Sequence, residues 1–232
     1  MSQLHLLRIP VQPPKLLQFA TQHGVVQEDE TMGYVLHAWL TALFGEKAPK
    51  PFRYFERRNE VLAYSSHHAA LMLEHAQAFA SPQAWNALDV DNFMSKPMPA
   101  VWSAGQKLRM EVLTCPVSRQ GSTEKDVYLR ALDRHGDLAP TRTQVYHDWF
   151  TAQTKDALQF EYLEVQGMKT RGRLLRRARS NGNRLMTIER PQILFSAAAI
   201  IGDAERFSAL LARGMGRHRA FGFGMILLAP SR

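Results

Sequence analysis

Tyr34 and His37 are the residues of this chain whose types and spacing best suit proton chemistry. They stand three apart, so on a helix their side chains are neighbours on one face. An imidazole titrates near neutrality and can both take and return a proton, work typically worth about 10² to 10⁴ in rate. A phenol beside it can orient a hydroxyl or support charge on a phosphate. The pair would serve a metal-free transfer at a phosphodiester, in which a hydroxyl loses a proton and a leaving oxygen gains one. Taken alone, a tyrosine and a histidine on a partly exposed helix face read first as ordinary surface residues.

Two other stretches bear on what such a pair would act upon. Gly214-Met215-Gly216-Arg217-His218-Arg219-Ala220-Phe221-Gly222-Phe223-Gly224 interleaves glycines with basic side chains. Gly214, Gly216, Gly222 and Gly224 permit φ > 0 and a close backbone approach, while Arg217, His218 and Arg219 suit a phosphate backbone. A glycine-rich turn with solvated arginines is the plainer alternative. The second stretch holds Lys169, Arg171, Arg173, Arg176, Arg177, Arg179 and Arg184, with no acid between Glu164 and Glu189. Such a run is usually a solvated arm. If helical, its arginines would form a cationic stripe; if extended, they would alternate between faces. The formal net charge of +8 points to a polyanionic partner, without separating nucleic acid from an anionic membrane surface.

The elements that must position these residues follow from periodicity. Leu4 to Ile9 reads as a strand ended by Pro10, and Lys15 to His23 as a short helix. Asp29, Glu30 and Thr31 offer a cap and first-turn acids for a helix running to Phe44, with Gly45 as its stop. On its wheel Leu36, Leu40, Leu43 and Phe44 gather on one side, whereas Tyr34, His37 and Thr41 fall on a face the core does not claim. Phe52 to Arg57 and Glu60 to Tyr64 read as a hairpin, His67 to Ala80 as a helix, and Asp89 to Pro99 as a loop. Lys107 to Cys115 is then the last strand of a β-α-β-β-α-β domain. The polar stretch Arg119 to Lys125 marks the boundary, giving domains over 1–120 and 121–232. Beyond it, Asp126 to Leu132 and Thr143 to Ala152 read as helices and Ala157 to Gln166 as a strand. Arg184 to Glu189 and Gln192 to Ile201 read as two strands or one bent strand. Asp203 caps a helix ahead of the glycine loop and a final strand at Met225 to Leu228.

A lone cysteine, Cys115, excludes an internal disulfide and fits a reducing compartment. His67, His68, Glu74 and His75 lack the i, i+4 histidine spacing of helical zinc motifs, so no metal and no cofactor is expected. No signal-peptide pattern opens the chain, and the apolar run Ile193 to Ile201 is far short of the roughly 20 residues that span a bilayer. The expectation is a cytoplasmic protein with no membrane partner.

The glycine loop, with its hydrophobic strand and closing Leu228-Ala229-Pro230, resembles the signature of the repeat-associated (RAMP) CRISPR proteins. Together with Tyr34-Val35-Leu36-His37 on the first long helix, the Phe52 to Tyr64 hairpin, and Gly105 and Leu108 with Pro116 downstream, the whole chain resembles the CasE (Cse3) family. The resemblance implies an α+β protein of two tandem ferredoxin-like (RRM-like) domains. It also implies an endoribonuclease that cuts CRISPR precursor RNA at the 3′ base of the repeat hairpin without a metal, and then stays bound as a Cascade-type subunit. His37 would be the main catalytic residue and Tyr34 its assistant, with the basic run and the glycine loop binding the RNA hairpin. The chain departs from the family at Leu113-Thr114-Cys115-Pro116, where relatives usually have Arg-Ala-Asn-Pro, and in its more basic loop. The rival readings are a non-catalytic RNA-binding subunit of the same superfamily and a general RNA-binding protein.

Overall fold

A computed structural model describes residues 3–25, 32–178 and 184–230; the side chains of 176–178, 184 and 230 lie outside that description. Two sheets of four strands and one two-stranded ribbon carry the fold. The chain divides into two compact units, one built on Met1–Ala100 with Arg173–Ile188 and Ala220–Gly222, the other on Val101–Gly172, Glu189–Arg219 and Phe223–Arg232.

In the first unit β1 (His5–Pro10), α1 (Pro13–Gln22) and α2 (Met32–Phe44) lead to β2 (Phe52–Phe55) and β3 (Glu60–Ser65). α3 (Ala69–Phe79), α4 (Pro82–Asn86) and β4 (Met94–Pro97) complete it. The sheet order is β2-β3-β1-β4, that of a ferredoxin-like β-α-β-β-α-β unit. β1 lies antiparallel to both β3 and β4, with Leu7 opposite Ala63 and Ser95. Leu7 and Ile9 alternate into a core with Phe19, Trp39, Phe44 and Phe52, each fully buried and worth about 1.5–3 kcal/mol in transfer free energy. Asn59 takes the left-handed conformation in the β2–β3 connection, as an asparagine does at small cost.

The second unit repeats the plan. β5 (Lys107–Thr114) is followed by the ribbon β6 (Val117–Gln120) and β7 (Thr123–Asp126), then α5 (Val127–His135) and α6 (Arg142–Thr154). β8 (Leu158–Ala178), β9 (Arg184–Ile201), α7 (Ala204–Arg213) and β10 (Ile226–Pro230) complete the chain. The order β10-β5-β9-β8 is again ferredoxin-like once the ribbon and its helices are counted as the first crossover. Period-two burial is plain: Leu108, Met110 and Val112 on β5 point inward with Ile193, Phe195, Ala197 and Ala199 on β9.

The expected division at residue 120 differs from the observed one. Lys107–Thr114 pairs with β9 and β10, not with β1, and so opens the second sheet. The place expected for it in the first sheet is taken by Met94–Pro97, within the stretch expected to be a loop. That strand is four residues long, exposed and contains a proline, which only an edge position tolerates. The polar stretch read as a linker is the ribbon turn, with Gly121 at φ 57°. The helix expected over His67 to Ala80 ends at Phe79, and Ser81 caps the separate α4 by accepting from the Ala84 amide at 3.3 Å. Arg184 to Ile201 forms one strand, and the described part of the basic run before it, up to Ala178, is extended rather than helical. The proposed α2 cap at Asp29, Glu30 and Thr31 lies outside the described residues.

Candidate functional site

α2 is enclosed on most of its circumference. Val35, Leu36, Trp39, Leu40, Leu43 and Phe44 are buried, and α1, α3 and α4 all pack against the helix. Besides Met32 and Gly33 in its first turn, the half-buried or exposed residues of α2 form a narrow window of His37, Ala38, Thr41 and Ala42. Within it the Thr41 hydroxyl donates to the His37 carbonyl at 2.8 Å. Tyr34 is not on an open face as its wheel position suggests: it is 8 % exposed and joins the core. The pair is nonetheless contiguous, with ring centroids 6.4 Å apart and edge to face.

Phe221 closes the group. Its ring meets His37 edge to face at 5.2 Å and lies nearly parallel to Tyr34 at 6.3 Å. Burial lowers the pKa of His37 below its ordinary value, and the positive charge of Lys50 lowers it further. At neutral pH the imidazole is therefore the uncharged, proton-accepting form.

The remainder of the glycine stretch has its own geometry in the second unit. Gly214 ends α7 at φ 73°, its amide donating to Leu210 at 2.8 Å. The Met215 amide donates to the Gly224 carbonyl at 2.8 Å, and the Gly224 amide to Leu113 at 2.7 Å. A Cβ on Gly224 would stand 2.0 Å from the Met215 carbonyl oxygen, so only glycine fits. Gly216 lies against the Trp149 ring, which an added Cβ would approach to 3.0 Å. Gly222 takes φ 92° in the first unit. The Met215–Gly224 hydrogen bond thus closes the loop on itself, and the Gly214 and Gly224 amides tie its ends to α7 and β5.

Two basic residues of the loop, Arg217 and His218, are anchored by an acid that sequence reasoning missed. Glu124 on β7 has a side chain only 5 % exposed. It accepts from Arg190 Nε at 2.9 Å and Arg217 Nε at 2.6 Å, and lies 2.9 Å from His218 Nε2. Burial resists its ionisation, but the hydrogen bonds from Arg190, Arg217 and His218 and the His218 charge outweigh that, holding its pKa at about 2. His218 is 6 % exposed and adopts φ 61°; burial lowers its pKa despite Glu124. Arg219 donates from Nη1 to the Arg213 carbonyl at 2.7 Å. The only signal for Glu124 was an acid within a polar turn, which is common.

Of the basic run, Lys169, Arg171 and Arg173 are exposed at alternating positions of β8. Arg171 has a loose, exposed ion pair with Glu189 at 4.0 Å. Arg176, Arg177 and Arg184 occupy strand positions, but their side chains, like all of Arg179, lie outside the described residues. Burial pushes the Cys115 thiol pKa up, which leaves it a core residue rather than a nucleophile. Among the described residues no three His, Cys, Asp or Glu side chains converge as metal ligands, and no helix is long and apolar enough to cross a membrane.

Duplicated ferredoxin-like units, a Tyr-x-x-His helix and a glycine loop define a tandem α+β protein. A family model described as "CRISPR associated protein" matches residues 4–230, and the chain belongs to that family. Similar structures include CRISPR endoribonuclease Cse3 bound to a 19-nucleotide RNA, with TM-score 0.63 and 16% identity over 98% of this chain and 100% of that one. Thermus thermophilus Cse3, bound to an RNA representing a pre-cleavage complex, aligns with TM-score 0.60 and 16% identity, covering 98% of this chain and 100% of that one. Cas6e from Escherichia coli K-12 gives 0.59 and 15%, with 98% and 100% covered. At these identities the likeness is one of fold. No curated protein matches the chain by sequence.

Proposed function

We propose that this protein is an endoribonuclease that cuts CRISPR precursor RNA at the 3′ base of the repeat hairpin, without a metal, and keeps the product as a Cascade-type subunit. The observation that carries the reading is the window on α2, where His37 is desolvated, uncharged at neutral pH and in ring contact with Tyr34 and with Phe221 of the glycine loop. His37 takes the proton of the 2′-hydroxyl as the 2′-oxygen bonds to phosphorus. The bond to the 5′-oxygen breaks, and that oxygen leaves as a hydroxyl, taking the proton that the His37 imidazolium returns. The products are a 2′,3′-cyclic phosphate and a 5′-hydroxyl. Tyr34 supports the reacting group from the adjoining turn.

Lys169, Arg171, Arg173, Arg176, Arg177, Arg179 and Arg184 grip the hairpin through its phosphates, since duplex RNA is recognised by shape and backbone. The loop, with Gly214, Gly216, Gly222 and Gly224 and with Arg217, His218 and Arg219, positions the RNA backbone. A reducing cytoplasm suits the single buried Cys115. The solved Cse3 bound to RNA and the CRISPR RNA-guided surveillance complex matched at TM-score 0.54 support the partners assigned.

The test is cleavage of repeat RNA in EDTA by the natural protein and by His37→Ala, with a 2′-deoxy nucleotide at the cut site as control. One cut near the 3′ base of the hairpin, lost with either change, is the expected result. Tight hairpin binding without cleavage would make the chain a binding subunit.

A further inference from the structure

Phe221 touches both residues of the Tyr34/His37 pair, although it arrives from a distant part of the chain. Its backbone is as close to α2 as its ring is: a Cβ added to Gly33 would stand 2.6 Å from the Phe221 carbonyl oxygen, well inside contact distance. Gly33 and His37 are four apart on α2, one turn along the same face. Phe221 therefore lies along that face, backbone against Gly33 and ring against His37 at 5.2 Å. The ring also runs nearly parallel to Tyr34, with 17° between the planes. Gly33 is helical and its φ needs no glycine, so its small size has this close approach as its reason.

An imidazole on a helix window rotates about χ2, a broad, soft torsion. A base acts at full rate only when its nitrogen is held to about 0.5 Å and 10–20° of the productive position. A ring packed edge to face against the imidazole supplies that restraint. We propose that Phe221 is a positioning residue for His37, and that Gly33 is the notch that lets it reach there. The inference rests on the proposed nuclease reading for its rate consequence, but not for its structural one.

The experiment pairs two readouts on Phe221→Leu, Phe221→Tyr and Gly33→Ala. The first is the titration and chemical shift of the His37 ring by ¹⁵N-correlated NMR in the RNA-free protein, assigned with His37→Gln. The second is single-turnover cleavage at saturating repeat RNA, with the RNA Kd measured separately. Phe221→Leu and Gly33→Ala are expected to move the His37 resonance and raise its pKa toward the free value. Each should slow cleavage about 10-fold or more while the Kd stays within about 2-fold, the pattern of lost alignment at the reacting group. Phe221→Tyr, which keeps the ring, should restore both. An unchanged His37 titration and shift in Phe221→Leu overturns the inference, as does a loss that appears only in Kd. If the natural protein cuts no RNA, the nuclease reading fails, and the NMR readout still decides whether Phe221 positions His37.

Discussion

The two units share one strand order and differ in where their extra residues go. In the first, strands of four to six residues frame helices that enclose α2, and His37, beside the buried Tyr34, occupies a gap in that packing. In the second, β8 and β9 are longer, 21 and 18 residues in all, of which the part up to Gly172 and the part from Glu189 belong to this unit, with Lys169 and Arg171 exposed on it. Their anchoring differs as well: aromatic packing surrounds His37, whereas a buried carboxylate holds the second unit's Arg217 and His218. A proton acceptor needs a fixed position and a pKa set by desolvation, which a packed helix provides. Phosphate binding tolerates displacement, because charge acts over a Debye length of about 8–10 Å at ordinary ionic strength. One scaffold can thus place precise chemistry on a helix and electrostatic grip on a strand.

Substitutions that separate rate from affinity test the comparison most severely. His37→Ala should lower single-turnover cleavage of repeat RNA by about 10²- to 10⁴-fold with hairpin affinity unchanged. A loss of affinity instead would put His37 on the binding side of the division. In the second unit, Glu124→Ala leaves Arg190, Arg217 and His218 without their shared acceptor. Removing one partner of such a buried ionic cluster costs about 3–5 kcal/mol, readable as a lower urea midpoint. A change within the scatter of ordinary surface substitutions would mean that the cluster does not hold the loop.

The pH dependence sharpens the same point. The Glu124 pKa of about 2 in the folded protein lies below its unfolded value of 4.5, so the stability it contributes is present above pH 4.5 and is lost as pH falls toward 2. Glu124→Gln should flatten that part of the stability profile. Equal acid sensitivity in both proteins would assign the effect to other carboxylates.

A smaller effect is expected from the strand. Lys169→Ala or Arg171→Ala should each reduce the slope of log affinity against log salt by about 1, leaving the rate at saturating RNA unchanged. The least conspicuous change is Lys50→Ala. Removing that charge raises the His37 pKa, and the acid limb of the pH–rate profile moves to higher pH. A limb that stays in place would leave burial as the sole cause of the shift.

Much of this was readable in the chain itself. The apolar spacing of α2, the alternation on β5 and β9 and the glycine stops are local patterns, and periodicity determines them. So does the candidacy of Tyr34 and His37, because residues three apart must be helix neighbours. Only tertiary structure decided that Tyr34 is buried, because α1, α3 and α4 close around α2 from positions that a single wheel does not contain. It also decided that Lys107–Thr114 begins the second sheet, since strand pairing joins residues far apart in sequence and Met94–Pro97 is too short and too polar to announce itself. The contacts of Glu124 and Phe221 were likewise hidden. An acid in a polar turn and a phenylalanine among glycines are unremarkable types, and their meaning lies in contacts across 93 positions to Arg217 and from Phe221 back to His37.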